Sequence, residues 1–191
     1  MGKDDYRYLS HWRVLGTAAE VADILADLGQ LSRWWPSVCL DVEVLERGAR
    51  DGVGTVVSLQ TRGWIPYTMT WQLGIVESRQ PYGFSVEAWG DLVGTGRWAF
   101  VESGPWVDLT LDWTIHADRP LLRQLSFLLR PIFASNFRWA MTRGERSLQL
   151  ELVRRRATTE EALSRVPSPP GPSWSCSPGD EPRKARTESE W

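Results

Sequence analysis

The segment GDLVGTGRW at 90–98 contains three glycines followed by an arginine. Glycine-rich loops can bind phosphate through their backbone amides, so this spacing is the first candidate for a functional motif. A dinucleotide-binding loop requires G-x-G-x-x-G with a helix directly after it, so that the helix N-terminus meets the pyrophosphate. Here the spacing is G-x-x-x-G-x-G, and the following RWAFVES alternates like a β-strand. The pattern therefore favours a hairpin corner, in which the glycines supply positive φ or tight bends.

Side chains for nucleophilic or metal-assisted catalysis are sparse. The two histidines, His11 and His116, are out of phase with their apolar neighbours, which predicts that both face solvent. The sequence contains no G-x-S-x-G, H-E-x-x-H or C-x-x-C motif, and Cys39 and Cys176 are predicted to be free thiols. We expect no metal and no cofactor, and no catalytic residue can be assigned.

Two polar side chains fall on the apolar face of a predicted C-terminal helix. Asn136 lies in the middle of that face, and Arg143 follows two turns later. A buried polar group needs a partner, so Asn136 is expected to bond the Tyr67 hydroxyl or an indole N–H, and Arg143 a carboxylate at a rim. The alternative is that both are polar handles for a ligand.

Composition narrows the classes of partner. A net charge of -2 and an isoelectric point near 5.8 provide no basic field for nucleic acid. The first twelve residues lack the apolar core of a signal peptide, and the apolar stretch after Pro120 is interrupted by Arg123 and Arg130. We therefore expect a cytoplasmic protein with no integral membrane segment; its oligomeric state stays open.

The elements that must position these residues follow from hydrophobic periodicity. The predicted strands cover 6–16, 38–46, 54–63, 66–78, 82–90, 95–103 and 107–117. Thr17 and Glu20 form a predicted capping box for a helix that stops at Gly29, and QLSRWW forms a second helical turn. A long helix is predicted over 120–156, where Pro131 either kinks it or begins its main part.

Short connections between successive strands imply an antiparallel meander. We predict an α+β fold, a helix grip, in which a curved seven-stranded antiparallel sheet wraps around the long C-terminal helix and two short helices follow strand 1. Such an arrangement leaves a pocket between sheet and helix. Residues 1–156 are predicted to form this ligand-binding domain, and residues 157–191 a disordered tail rich in Pro, Ser and charge.

Several segments resemble the helix-grip superfamily of START-related, polyketide cyclase/dehydrase and lipid-transport proteins, called SRPBCC. The resemblance covers roughly residues 8 to 155 and is carried by HWRV (11–14), RWWPSV (33–38), TRGWIPYTMTW (61–71), GDLVGTGRW (90–98), LTLDWTI (109–115) and RPIFASNFRWAMTRGERSL (130–148). The resemblance implies a carrier or a cyclase for hydrophobic molecules. Cyclases of this superfamily are understood to fold a reactive polyketide in the pocket without a conspicuous catalytic triad, so the missing catalytic motifs do not exclude a cyclase.

Alternation along the strands selects a pocket-facing set that is mostly apolar and aromatic. The predicted ligand-binding residues are Trp34, Trp35, Tyr67, Met69, Trp71, Trp98, Phe100, Leu111, Trp113, Asn136 and Arg143. Trp34 and Trp35 either close the mouth of the pocket or form a structural plug. An apolar or aromatic ligand is favoured over a charged one, which would lose its hydration.

Three functions are compatible with these features. The first is a binder or carrier of a hydrophobic small molecule, either a lipid or an aromatic polyketide-like compound. The second is a polyketide cyclase or dehydratase that uses Asn136, Arg143 and Tyr67 as polar handles. The third is an adaptor whose tail, which we expect to be dispensable for folding, docks on another protein.

Overall fold

A computed structural model describes residues 5–116 and 120–172 of the chain, with side chains at 6–115 and 131–172. The strands are β1 (Asp5–Leu15), β2 (Cys39–Glu46), β3 (Val56–Arg62), β4 (Thr68–Ser78), β5 (Gly83–Gly90), β6 (Gly94–Ser103) and β7 (Trp106–His116). The helices are α1 (Ala18–Leu25), α2 (Leu31–Trp34), α3 (Pro120–Arg156) and α4 (Glu160–Ser164). Each predicted strand is present, with ends that differ by one or two residues.

The strands form one seven-stranded antiparallel sheet in the order β1-β7-β6-β5-β4-β3-β2. The strands from β2 to β7 follow one another as a meander, whereas α1 and α2 carry the chain from one edge of the sheet to the other. The long helix α3 packs along β1. The predicted helix-grip fold is therefore confirmed.

Helix α3 covers the exposed edge of the sheet. Because β1 is an edge strand, its outward N–H groups lack a neighbouring strand. The amides of Arg13 and Leu15 instead donate to the side chains of Glu145 and Gln149, each at 2.8 Å. Just before Glu145, a Cβ at Gly144 would lie within 2.8 Å of the Trp12 and Trp35 rings. The absence of a side chain at Gly144 thus lets α3 pack directly against these two indoles.

Helix α1 begins as predicted. Thr17 caps it and Glu20 completes the capping box, but the predicted stop at Gly29 is wrong because the helix ends at Leu25 and Gly29 lies in a 3₁₀ turn. Arg156, the last residue of α3, donates two hydrogen bonds of 2.7 and 2.6 Å to Glu20. These bonds lower the pKa of Glu20 from 4.5 to about 2 against the opposing effect of burial.

Glu20→Gln should therefore reduce stability in a pH-dependent way. A carboxyl whose pKa is lowered by folding stabilises the protein above pH 4.5, and this contribution is lost as pH falls from 4.5 towards 2. Glu20 and Arg156 are each 38% exposed, so we expect a loss of about 1 kcal/mol near neutral pH. Chemical denaturation at several pH values should show the difference from wild type vanishing near pH 2. Glu161→Gln, in a more exposed ion pair, is the control; an equal, pH-independent loss in Glu20→Gln would contradict the assignment.

The segment after α3 is partly ordered in the described residues. Helix α4 is capped by Thr159, and Arg154 donates to the backbone oxygen of Pro167 at 3.0 Å. This differs from the predicted lack of regular structure over 157–191, because capping residues in the tail's sequence provide a helix N-terminus. The predicted boundary at 156 stays a prediction, and residues 173–191 lie outside the described residues. No helix in the described part of the chain is long and apolar enough to cross a membrane.

Candidate functional site

The concave face of the sheet, which faces α3, carries the predicted apolar set. The inward residues of the central strands are buried, as alternation predicts: Val57, Leu59, Phe84, Val86, Ala88, Trp98, Phe100, Leu109, Leu111 and Trp113. On β4, Thr68, Thr70 and Gln72 are exposed, as predicted for the opposite face. The facing predicted for these strands is therefore correct.

Exposure along this face is uneven. Trp98, Phe100 and Leu111 are buried in the core. Near the start of β4, Met69 and Trp71 are half-buried, and Tyr67, just before β4, is 58% exposed. The accessible part of the concave face is therefore its end near the start of β4.

Trp71, at this accessible end, and the buried Trp113 form a rigid corner. The rings of Trp71 and Trp113 lie 6.2 Å apart at 74°, an edge-to-face arrangement. The indole N–H of Trp71 donates to the hydroxyl of Thr61 at 2.7 Å, which fixes the ring. Thr61 is buried on the same face. We call Thr61, Trp71 and Trp113 the aromatic corner.

A glycine seats the second indole of the corner. Gly96 lies directly opposite Trp113 in the β6–β7 register, and a Cβ at Gly96 would come within 2.3 Å of the Trp113 ring. Of the hairpin glycines, Gly90 has a positive φ of 105°, as predicted, but Gly96 does not. Its role is to leave room for the indole, which the hairpin interpretation missed.

Two further aromatic residues that the sequence analysis does not select extend the site. Tyr8 of β1 pairs with Trp113 in register, and its ring stacks on Phe137 of α3 at 4.8 Å and 26°. Tyr8 and Phe137 are half-buried, as is Met141 one turn further along the helix. The even-numbered alternation of Tyr8, Trp12 and Val14 in β1 is the signal that could have identified Tyr8.

Trp34 and Trp35 lie in the core, and the structure supports the structural-plug alternative. Their rings stack at 5.6 Å, and Trp35 meets Trp12 edge to face at 5.8 Å. Trp34 is fully buried and Trp35 is 8% exposed, so neither lies at a mouth. A four-residue helix is too short to reveal its buried face by periodicity, which explains why the sequence left two alternatives.

A buried carboxylate holds α2 against α3. Glu151 is fully buried and accepts hydrogen bonds from Arg33 of α2 and from Arg155 at 3.0 Å. Burial raises the pKa of the Glu151 carboxyl, but the hydrogen bonds from Arg155 and Arg33 outweigh it and hold the pKa below its usual value. This carboxylate fixes the helix that carries Trp34 and is not directed at the aromatic corner.

Asn136 fastens a loop and does not contact the groups expected. Its side-chain oxygen accepts hydrogen bonds from the backbone amides of Trp64 at 2.9 Å and Ile65 at 3.4 Å. The expected partner, a Tyr67 hydroxyl or an indole N–H, is therefore wrong for this oxygen. Gly63 is required here, because a Cβ would lie 1.9 Å from that oxygen. The loop 63–67 is thereby joined to α3.

Asn136→Ala should loosen this loop without unfolding the domain. Two backbone amides would lose their acceptor, at a cost of about 1–2 kcal/mol because both lie near solvent and can hydrate. Hydrogen exchange should accelerate at the Trp64 and Ile65 amides and not at strand amides of β6. Asn136→Asp, which keeps the acceptor oxygen, is the control; unchanged exchange in Asn136→Ala would contradict the role assigned to this side chain.

Arg143 is half-buried and packs over the Trp139 ring, with the guanidinium carbon 5.6 Å from the ring centroid. No carboxylate of the described residues lies within ion-pair distance of Arg143, so the expected pairing at the rim is not found there. A cation over an indole face is a favourable contact in itself. Arg143 therefore packs on a residue of its own helix, α3, and not on the corner residues.

Among the residues that the structure describes, the remaining reactive side chains do not assemble a catalytic group. His11 is exposed, as predicted, with Nδ1 3.3 Å from the Thr110 hydroxyl; the side chain of His116 lies outside the described residues. Burial raises the pKa of the Cys39 thiol to about 12, so it stays protonated at neutral pH. Among the described residues, no three His, Cys, Asp or Glu side chains could hold a metal ion together.

Solved structures with the same fold were found by comparison. The protein TTHA0849 from Thermus thermophilus matches with a TM-score of 0.64 and 15% identity, over 80% of this chain and 100% of that one. The Zhui aromatase/cyclase from Streptomyces sp. R1128 matches with a TM-score of 0.60 and 16% identity, over 81% and 97%. Norcoclaurine synthase from Thalictrum flavum matches with a TM-score of 0.54 and 12% identity, over 80% and 97%. At these identities the likeness concerns the fold.

A sequence comparison with curated proteins found no significant match. The sequence profile described as polyketide cyclase / dehydrase and lipid transport, in contrast, matches residues 13–153. This range runs from β1 to the last turn of α3 and contains every residue of the aromatic corner. The chain therefore belongs to the polyketide cyclase/dehydrase and lipid transport family, as the resemblance noted in its sequence implies.

Proposed function

We propose that this protein binds a hydrophobic small molecule against the aromatic corner, between the sheet and α3. The observation that carries the proposal is that Trp71 and Trp113 are held at 74° by groups behind them, Thr61 and Gly96. Rings fixed before binding lose little conformational entropy when a ligand arrives, so the contact is efficient. Both belong to the predicted ligand-binding set.

The chemistry of the corner favours a flat, uncharged ligand. Its walls are two indoles; Met69 shares the strand face of Trp71, and Phe137 stacks on Tyr8, the register partner of Trp113. None of these side chains can neutralise a charge. A planar ring can stack on one indole and meet the edge of the other, an arrangement that a flexible acyl chain cannot match. An aromatic polyketide-like compound is therefore the preferred ligand, and a lipid is the alternative.

A polyketide cyclase or dehydratase is the second candidate, favoured by the family to which the chain belongs. Among the predicted handles, Asn136 already accepts two backbone hydrogen bonds and Arg143 lies over Trp139. Tyr67, exposed at the accessible end, is the handle best placed to meet a bound molecule. The positions of these three residues therefore favour a binding protein over an enzyme.

Titration of the full chain with Nile red, a planar neutral fluorophore, tests the proposal. Saturable binding, with competition by anthraquinone stronger than by palmitate, is expected if the corner selects flat ligands. Incubation with a linear poly-β-ketone substrate then tests turnover to a cyclised product in the wild type and in Tyr67→Phe. Loss of turnover with Nile red binding kept would favour the cyclase, whereas no saturable Nile red binding would refute the proposed function.

A further inference from the structure

A groove lies on the opposite, convex face of the sheet, and it shares Trp71 with the aromatic corner. It is open to solvent, has a volume of about 320 Å³ and is lined by Ser58, Thr70, Trp71, Gln72, Trp89 and Gly90. Ser58 of β3 pairs with Gln72 of β4, which pairs with Trp89 of β5, so the three residues form one row across three strands. We call this the convex groove. Its volume is at the lower end of the range for small-molecule sites.

Trp89 is held in place by a glycine beneath its ring. A Cβ at Gly74 would lie 2.9 Å from Cη2 and 3.0 Å from Cζ3 of Trp89, which is closer than side chains pack. The indole therefore rests directly on the backbone of β4, while the residue stays 39% exposed. One side of the ring is thus fixed against the sheet, and the remainder is presented at the groove.

The other polar side chains that line the groove are uncharged and can both donate and accept hydrogen bonds. The hydroxyls of Ser58 and Thr70 donate and accept hydrogen bonds, and the amide of Gln72 does the same with separate atoms. No described Lys, Arg, Asp or Glu residue lines the groove, so the described lining offers no complement to a phosphate or a carboxylate. An indole bordered by neutral donors and acceptors fits a ligand with one apolar face and a rim of hydroxyls.

We propose that the convex groove binds a neutral saccharide. The slightly positive C–H groups of one sugar face would stack on the negative face of the Trp89 indole, and ring hydroxyls would bond Gln72 and Ser58. The volume accommodates one or two sugar rings. The groove shares Trp71 with the aromatic corner, but Ser58, Gln72 and Trp89 belong to the groove alone, so substitutions at these three residues test this site separately from the proposed function.

Titration of the ¹⁵N-labelled full chain with glucose, galactose, mannose, maltose, cellobiose and lactose tests the proposal. We expect saturable shifts for at least one sugar in the millimolar range, with the largest at the Trp89 indole N–H and the Gln72 amides. Trp89→Ala and Gln72→Leu should each weaken that sugar at least tenfold and leave Nile red binding unchanged. Tyr82→Ala, which removes a 63% exposed aromatic residue outside the groove, should alter neither.

Ser58→Phe keeps the proposal testable if Trp89→Ala fails to fold, because it fills the groove while Trp89 stays on Gly74. Loss of sugar binding in a folded Ser58→Phe protein is the expected result. The proposal is overturned if none of the six sugars binds, if binding survives Ser58→Phe, or if the bound sugar displaces Nile red. The last outcome would move the sugar to the concave face and leave the convex groove without this role.

Discussion

Gly96→Ala is expected to destabilise the domain by about 3 kcal/mol and to weaken Nile red binding at least tenfold. The new methyl group would lie 2.3 Å from Cε3 and 2.4 Å from Cζ3 of Trp113, and 2.9 Å from a methyl of Val86. Trp113 is 7% exposed and cannot move aside without disturbing the core, so the cost is that of an overpacked site. Chemical denaturation and Nile red titration measure the two effects.

A second substitution that removes the Trp113 ring should reduce the loss of stability caused by Gly96→Ala. Because Gly96 and Trp113 face each other in register, Gly96→Ala combined with Trp113→Leu should be more stable than the sum of the single changes predicts. Gly104→Asn is the control, since a Cβ there meets nothing within 4 Å and asparagine tolerates its φ of 62°. Strict additivity of the pair would show that the glycine does not seat the indole.

Alternation made most of the sheet predictable from sequence. In a strand, the face that a side chain occupies depends on its own position and on nothing distant, so the facing of Leu109, Leu111 and Trp113 needed no tertiary information. The capping box of Thr17 and Glu20 was predictable for the same reason, because its partners are three residues apart. Local rules therefore account for the fold and for the apolar character of its concave face.

The candidate site depended on contacts between distant parts of the chain. Asn136 accepts hydrogen bonds from the backbone amides of residues 64 and 65, and Gly96 leaves room for the ring of Trp113 on the next strand. Neither role has a local signature in the sequence. The close passage of α3 at Gly144 likewise depends on how the helix lies over Trp12. Sequence could select residues for the concave face, but the distinction between core and accessible surface required their packing.

Trp71→Ala and Trp113→Ala should separate ligand binding from stability. Both were expected from sequence to border ligand space, which predicts that each substitution costs less than the roughly 3–5 kcal/mol of emptying a packed aromatic site. Trp71 is half-buried, so its replacement should cost about 2 kcal/mol, including the loss of its bond to Thr61. Trp113, 7% exposed and seated on Gly96, should cost the full range of about 3–5 kcal/mol.

Binding should rank the two substitutions in the opposite order to stability. Trp71 is half-buried whereas Trp113 is 7% exposed, so in the folded protein Trp71→Ala should weaken Nile red at least tenfold, and Trp113→Ala should weaken it less. Denaturation curves paired with fluorescence titrations measure both quantities, and Tyr82→Ala reports the effect of losing an exposed aromatic residue elsewhere. If Trp71→Ala costs as much stability as Trp113→Ala and leaves Nile red affinity unchanged, both rings are core and the ligand lies elsewhere under α3.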